Sequence, residues 1–301
     1  MSAESDFIAA LRGFATHSAA RGLADDAAVV GGLVFSHDML VEGVHYCPDD
    51  PPDAVAWKSV AVNLSDLAAK GAEPAFALLA FTLGDAEWDR AFAEGLSIAL
   101  AHFGVALIGG DTVALPPAAP RVVGMTVIGR AQARTPTRSG AQPGDALFVT
   151  GTIGDAGLGL KVAQGRSSAI DCLDAYRRPH PQLAAGAILA PLVSAIMDVS
   201  DGLLIDASRL AEASQCALHI DLDAVPLSIA YRAHVGENRD ARLEAATAGD
   251  DYQLLFTSGL PLPSLPCPVT RIGSVASGAG LLLTDSLGQI ALPERLGWEH
   301  N

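Results

Sequence analysis

Aspartates hold most of the chemistry visible in this chain. Asp26 closes the pair Asp25-Asp26 ahead of AAVV, Asp38 lies in SHDML and Asp66 in NLSDL. Asp111 lies in IGGDT, Asp198 and Asp201 in MDVSDG, and Asp250-Asp251 in GDDYQLLF. Each stands beside small or apolar residues at the end of an element, where a solvated acidic face would intersperse Lys, Arg and polar types. A buried carboxylate is costly unless a cation or hydrogen-bond donors meet it. The lysines are Lys58, Lys70 and Lys161 only, so a divalent metal is the economical partner. Mg²⁺ takes carboxylate oxygens together with water and substrate phosphate. Singly, Asp66 also reads as a surface helix residue, Asp111 as a turn former and Asp201 as a helix N-cap. Their joint recurrence at element boundaries points to an acidic cluster that binds metal and phosphate.

Three further features suit a phosphate-bearing substrate. Thr150-Gly151-Thr152-Ile153-Gly154-Asp155 opens a helix, and main-chain N–H groups in such a turn can receive phosphate oxygens. Arg138, in TRSG, offers a charge-assisted contact to a nucleotide or, equally, an exposed linker charge. His45, in VEGVHY, follows Asp38 closely enough to share its pocket, with a core histidine as the alternative. GxxxxGK[ST] and the protein-kinase signatures are missing, and the glycine turn lacks the acidic residue of a dinucleotide fingerprint.

These groups need elements to position them. The spacing predicts a helix over Asp53–Gly71, with Asp53 as N-cap and Gly71 just past its end. Trp57, Val60, Ala61, Leu64, Leu67 and Ala68 make its apolar face, and Ser59, Asn63, Asp66 and Lys70 the opposite stripe. A second helix is predicted from Asp85 to His102, closed by Gly104. Strands are predicted at Val29–Phe35, Ala75–Leu83, Val105–Ile108 and Val122–Ile128, several apolar on both faces. The Pro/Gly/Thr-rich stretch Ala133–Asp145 reads as a linker. Beyond it, strands Ala146–Thr150, Ser194–Val199, Leu218–Leu222, Tyr252–Thr257, Val269–Val275 and Leu281–Thr284 alternate with helices at Gln182–Pro191 and Asp201–Ala213. Interleaving in both halves predicts two α/β sandwiches.

Composition narrows the classes. The 301 residues are 50% hydrophobic and 18% charged, with a net charge of −15. That suits about two packed domains and excludes a disordered or fibrous chain. The acidity disfavours nucleic acid and anionic membrane as partners. No apolar run reaches the ~20 residues of a membrane span. The N-terminus lacks a basic region followed by an apolar one, so a cytoplasmic location is expected. Cys47, Cys172, Cys216 and Cys267 are far apart and read as reduced thiols.

The ordered set LADDAAVV, SHDMLVEGVHY, WKSVAVNLSDLAAKGAEP, LIGGDT, TRSGAQPGD, VTGTIGDAGLGL, RRPHP, AIMDVSDGLLID, AGDDYQLLFT and GWEH resembles the thiamine-monophosphate kinases. NLSDLAAKGA with LIGGDT is similar to the wider aminoimidazole ribonucleotide synthetase superfamily, and VEGVHY, DVSDGLLID and GDDYQLLF single out the kinase. The resemblance implies ATP- and Mg²⁺-dependent phosphorylation of thiamine monophosphate to thiamine diphosphate. It implies an α/β (α+β) two-domain fold, residues 1–137 and 138–301, that forms a homodimer through the first sheet. By motif it implies metal ligands at Asp26, Ser36, His37, Asp38, Asp66, Asp111, Asp198 and Asp201, with Asp66 and Asp201 as the catalytic pair. ATP contacts fall on Gly110, Asp111, Arg138 and Ser200, and thiamine-phosphate contacts on His45, Asp250 and Trp298.

Departures from the family pattern are His37 for a common Thr, Asp250 for a common Glu, RRPHPQ for RPxPR, and Trp298 where Tyr is frequent. None removes a metal carboxylate. The alternatives are another ATP-dependent member of the superfamily or a non-catalytic nucleotide- or cation-binding protein. Selenophosphate synthetase is disfavoured by the lack of a reactive Cys or Lys in a glycine-rich N-terminal segment, and the hydrogenase-maturation relative by a terminus in GWEHN with no Cys.

Overall fold

The computed structural model describes residues 3–132 and 134–300. The first half runs α1 (Ala3–Arg12), β1 (Ala28–Val30), β2 (Leu33–Val41), α2 (Pro52–Ala69), β3 (Glu73–Leu83), α3 (Ala86–Phe103), β4 (Ala106–Ala114) and β5 (Val122–Arg130). The second runs β6 (Ala146–Thr150), α4 (Asp155–Ala163), α5 (Leu173–Arg177), α6 (Leu183–Leu189), β7 (Ala195–Val199) and α7 (Leu203–Ser214). It continues with β8 (Ala217–Asp221), α8 (Ile229–His234), α9 (Arg239–Ala246), β9 (Gln253–Ser258), β10 (Val269–Ala276), β11 (Gly280–Asp285) and β12 (Gly288–Ile290).

Among the described residues the strands make a five-stranded sheet, β1-β2-β5-β3-β4, and a seven-stranded sheet, β12-β11-β8-β10-β6-β9-β7. Helices pack against both, giving the mixed α/β architecture expected. Residues 134–145 carry neither helix nor strand; Ala133, where the expected linker starts, lies outside the described residues. No described helix is long and apolar enough to cross a membrane.

Two expectations need correction. The strand foreseen over Val29–Phe35 is a hairpin, because Gly31 and Gly32 take positive φ (60° and 78°) and turn the chain between β1 and β2. This shifts β2 onward, so Asp38 lies within a strand. α2 starts after Pro51, with no side-chain cap, so Asp53 sits in its first turn and does not cap it. The stripe opposite the apolar face of α2 is enclosed as well: Ser59, Asn63 and Lys70 are buried, with the flanking Lys58 and Ser65, and Asp66 is half-buried.

That last point follows from where α2 runs. One face packs on the first sheet through Val60, Leu64 and Leu67. Its end, at Ala68 and Ala69, packs among Leu189, Ile196, Leu254 and Phe256 of the second half. Gly186 of α6 permits the closest approach, since a Cβ there would lie 2.0 Å from the Ala68 carbonyl oxygen. The polar side of α2 therefore faces the seam between the halves.

Candidate active site

Asp66 projects into that seam from α2. Ser36, on β2, donates its hydroxyl to Asp66 Oδ2. Asp26, just before β1, and Asp198, on β7, bring one oxygen each close to Asp66, all three within 4.8 Å of one another. Three separate elements, one from the second half, thus converge on one point. Asp198 accepts from Ser65 Oγ at 2.6 Å. Asp38 takes its main-chain support from Asn63, whose Oδ1 accepts from its N–H at 3.0 Å.

Burial and mutual repulsion govern the charges. Asp66 is pushed well above the ordinary carboxylate range by burial, and then by the charges of Asp198, Asp38 and Asp26. Asp198 is pushed up to about 8, by burial first and Asp26 next. Asp38 is raised by burial, with the charge of Asp201 adding to it. Asp26 behaves oppositely: despite the upward push of burial, Lys70 and Arg138 hold it low. An all-oxygen set of acids that resist ionisation together suits a hard divalent cation, which removes the repulsion.

The cations present are a surprise of the structure. Lys70, fully buried, contacts Asp25 and stands 2.5 Å from Asp26 Oδ2. Arg138 Nε donates to Asp26 Oδ1 at 2.5 Å, so it is no solvated linker charge. Arg21 contacts Asp25 and reaches the carbonyls of Thr135 and Pro136. The scarcity of lysine therefore did not leave all the acids to a metal.

Asp201 and Ser200 sit on the loop leading to α7. Asp201 pairs with Arg209 at 2.5 Å. It is not the helix N-cap; Gly202 is, and the Asp206 carboxylate accepts from the N–H groups of Ser200, Asp201 and Gly202 at 3.1 to 3.3 Å. Burial pushes Asp206 up to about 6. Asp206 was not foreseen, although its place one turn inside α7 carried the signal.

A second group lies along the same seam. Lys58, also buried, donates to Asp250 Oδ2 at 2.7 Å and to the His45 carbonyl at 3.0 Å. Tyr252 donates its hydroxyl to Asp250 Oδ1 at 3.0 Å. Asp250 holds a left-handed φ of 62°, fixed by its N–H on the Ser200 carbonyl at 2.7 Å. The His45 Nδ1 accepts from the Val41 N–H, and burial together with His300 pushes this imidazole down. The tail docks here, with the Trp298 N–H on the Asp201 carbonyl at 2.9 Å and the His300 ring 5.3 Å from His45. Trp298 stays half exposed.

Three expected placements are not met within this single chain. The His37 ring lies on the exposed face of the first sheet, bonded to Thr126 Oγ1 at 2.9 Å. Strand alternation, with Ser36 facing α2, turns it away from the aspartates. Gly110 and Asp111 lie on β4, exposed along its whole length at the sheet edge, and Asp111 is outside the acidic group. The glycine turn is not free for phosphate: the N–H groups of Gly151, Ile153 and Gly154 go to Pro268, Pro226 and Asp251. A cavity of about 720 Å³ between the 134–140 segment and residues 191–194 contains none of these groups.

Comparison with known proteins agrees with the architecture. Residues 24–131 match the family of AIR synthase related proteins, N-terminal domain, and residues 142–280 the C-terminal domain. Thiamine-monophosphate kinase of Escherichia coli K12 is 37% identical over 93% of this chain and 91% of its own. A structure described as "AaThiL complexed with AMPPCP and TMP" superposes with a TM-score of 0.87 at 27% identity, covering 97% of this chain and 96% of that one. Thiamine-monophosphate kinase from Stenotrophomonas maltophilia K279a gives a TM-score of 0.77 at 36% identity, covering 92% and 94%. With relatives this similar across almost its entire length, the chain belongs to the thiamine-monophosphate kinase family, within the AIR synthase related proteins.

Proposed function

We propose that this chain transfers the γ-phosphoryl group of ATP to thiamine monophosphate, giving thiamine diphosphate and ADP, with Mg²⁺ held at Asp26, Asp38, Asp66, Asp198 and Asp201. The observation that carries the reading is the common seam: Tyr252 donates its hydroxyl to Asp250, which Lys58 also holds, and its main-chain N–H to the carbonyl of Val199, next to Asp198 of the carboxylate cluster. Mg²⁺, when bound, supplies charge neutralisation between the two phosphate-bearing substrates.

The protein's own groups do the rest. A terminal oxygen of the acceptor phosphate forms the new bond to the γ-phosphorus as the bond to the bridging oxygen of ADP breaks. That oxygen is already largely ionised at neutral pH, so no strong base is required, in keeping with the absence of a nucleophile–base pair in the motifs. Catalysis then rests on positioning and charge complementarity. Arg138, already poised on Asp26, would meet an ATP phosphate, with Ser200 contributing from the loop leading to α7. His45, Asp250 and Trp298 hold the thiamine end, Trp298 offering an exposed aromatic face for stacking. Gly110 and Asp111 take part only through the exposed edge that a second copy would cover in a homodimer. An intracellular site of action accords with ATP as phosphoryl donor.

ADP release that depends on added thiamine monophosphate, and stops with EDTA, is the expected result. Asp66→Asn and Asp201→Asn should each lose at least about a hundredfold in kcat while remaining folded. Full turnover with aminoimidazole ribonucleotide precursors in place of thiamine monophosphate, or near-normal rates in both variants, would overturn the assignment.

A further inference from the structure

Lys70 ends α2 with no part of its side chain exposed. Burying an ammonium is expensive, and an unbranched apolar residue would fill the same space without that cost. Its surroundings explain why a lysine stands there. It bridges Asp25 and Asp26, with the Pro136 carbonyl at 3.4 Å. Asp25 also meets Arg21, and Asp26 also meets Arg138. On the other side of Asp26 the partners change: Asp66 and Asp198 have the hydroxyls of Ser36 and Ser65 and, among the described residues, no ion-pair partner of their own. One flank of the acidic cluster is therefore neutralised by the protein, and the other is left to something else.

The geometry points to Lys70 as a resident cation of the metal site. It neutralises the Asp25–Asp26 flank, keeps Asp26 in position before any ion arrives, and limits the divalent charge drawn in to what Asp66 and Asp198 demand. It is a positioning residue, acting through Asp26 rather than on substrate. This inference rests on the metal reading proposed above, and its test separates the two.

Mn²⁺ binding, read by electron paramagnetic resonance on the metal-free full chain, is compared in wild type, Lys70→Met and Lys70→Arg. Absence of binding in wild type would sink the metal reading itself. With wild type binding, Lys70→Met should bind Mn²⁺ roughly tenfold more tightly or take up a further ion, and Lys70→Arg should stay within about twofold of wild type. The metal-free unfolding midpoint of Lys70→Met should fall by several degrees and recover when Mn²⁺ is added. Unchanged or weaker Mn²⁺ binding in folded Lys70→Met overturns the inference. Should that variant not fold, wild type still answers. The lysines Lys58, Lys70 and Lys161 give a sparse ¹⁵Nζ spectrum, in which Lys70 is the signal lost in Lys70→Arg. Mn²⁺ should broaden it and spare Lys161 on α4; a Lys70 signal untouched at saturating Mn²⁺ overturns the inference equally.

Discussion

Asp250 shows how much one side chain can depend on its neighbours. A carboxylate shorter by one methylene than the family's usual Glu keeps its orientation because Lys58 takes one oxygen and Tyr252 the other. Lys58 also lies 4.1 Å over the Tyr176 ring, so its position is fixed from both halves. Replacing Lys58 by Met should raise the KM for thiamine monophosphate by roughly tenfold or more, with the KM for ATP changed little, because a charge-assisted hydrogen bond of about 1.5–3 kcal/mol is lost at the substrate end only. Steady-state kinetics with each substrate varied decides it. Asp198 leads to a different expectation, in pH. Burial, and then the charge of Asp26, push Asp198 up to about 8 from the ordinary 3.8, and burial pushes Asp206 up to about 6. Between pH about 4 and about 8 the folded chain thus holds protons that the unfolded chain has lost, and stability falls as pH rises through this window. In EDTA the unfolding midpoint should be several degrees lower at pH 8.5 than at pH 5.5, and Mg²⁺ should narrow that gap. A midpoint that climbs with pH in EDTA would contradict the repulsion described for the cluster.

At the scale of elements, α2 decides the site, and it is where sequence reasoning both succeeded and fell short. Asn63, Asp66 and Lys70 fall on one helical stripe by spacing alone, so their common direction was legible. What spacing could not reveal is that this side of α2 is enclosed rather than solvated, with Lys58 meeting Asp250 of the second half and Lys70 meeting Asp25 and Asp26 of the first. His37 was misjudged for a related reason: motif position ignores strand phase, and the residue next to Ser36 must point the other way. The glycine turn before α4 looked open because the long-range acceptors Pro226, Pro268 and Asp251 are distant in sequence. Asp26, Asp66 and Asp198 were recognisable because their motifs are local. The packing of α2 on α6 is testable directly. Gly186→Ala drives a methyl group into the Ala68 carbonyl, 2.0 Å away in the present arrangement, and overpacking of this kind costs about 1–3 kcal/mol. Urea unfolding should show that loss, and kcat should drop with it because the displaced helix carries Asp66. Wild-type stability in the variant would mean that α6 yields freely and does not brace the site.

The molecule as a whole leaves one surface unexplained by its own packing. β4 is an edge strand with every residue exposed. Leu107, Ile108 and Val113 are about half exposed along it, as is Met39 on β2, and Leu78 and Leu83 on neighbouring β3 are exposed as well. A long apolar edge with one charge and no proline invites pairing with another chain, and soluble monomers seldom show so contiguous an apolar patch. Lys and Glu are missing from β4, whose single charge is Asp111. A second copy of this chain is the natural cover, in line with the homodimer that the family resemblance implies, and it would bury Gly110 and Asp111 at the contact. Wild type should therefore run as a dimer in light scattering coupled to size exclusion. Ile108→Asp combined with Val113→Asp should shift it to monomer, with circular dichroism unchanged because neither side chain contributes to the buried core. A monomeric wild type, or a double variant that stays dimeric, would assign that edge another purpose. Because the acidic cluster faces the seam between the halves and not this edge, the monomeric variant should keep its Mn²⁺ affinity within about threefold, which separates loss of assembly from damage to the site.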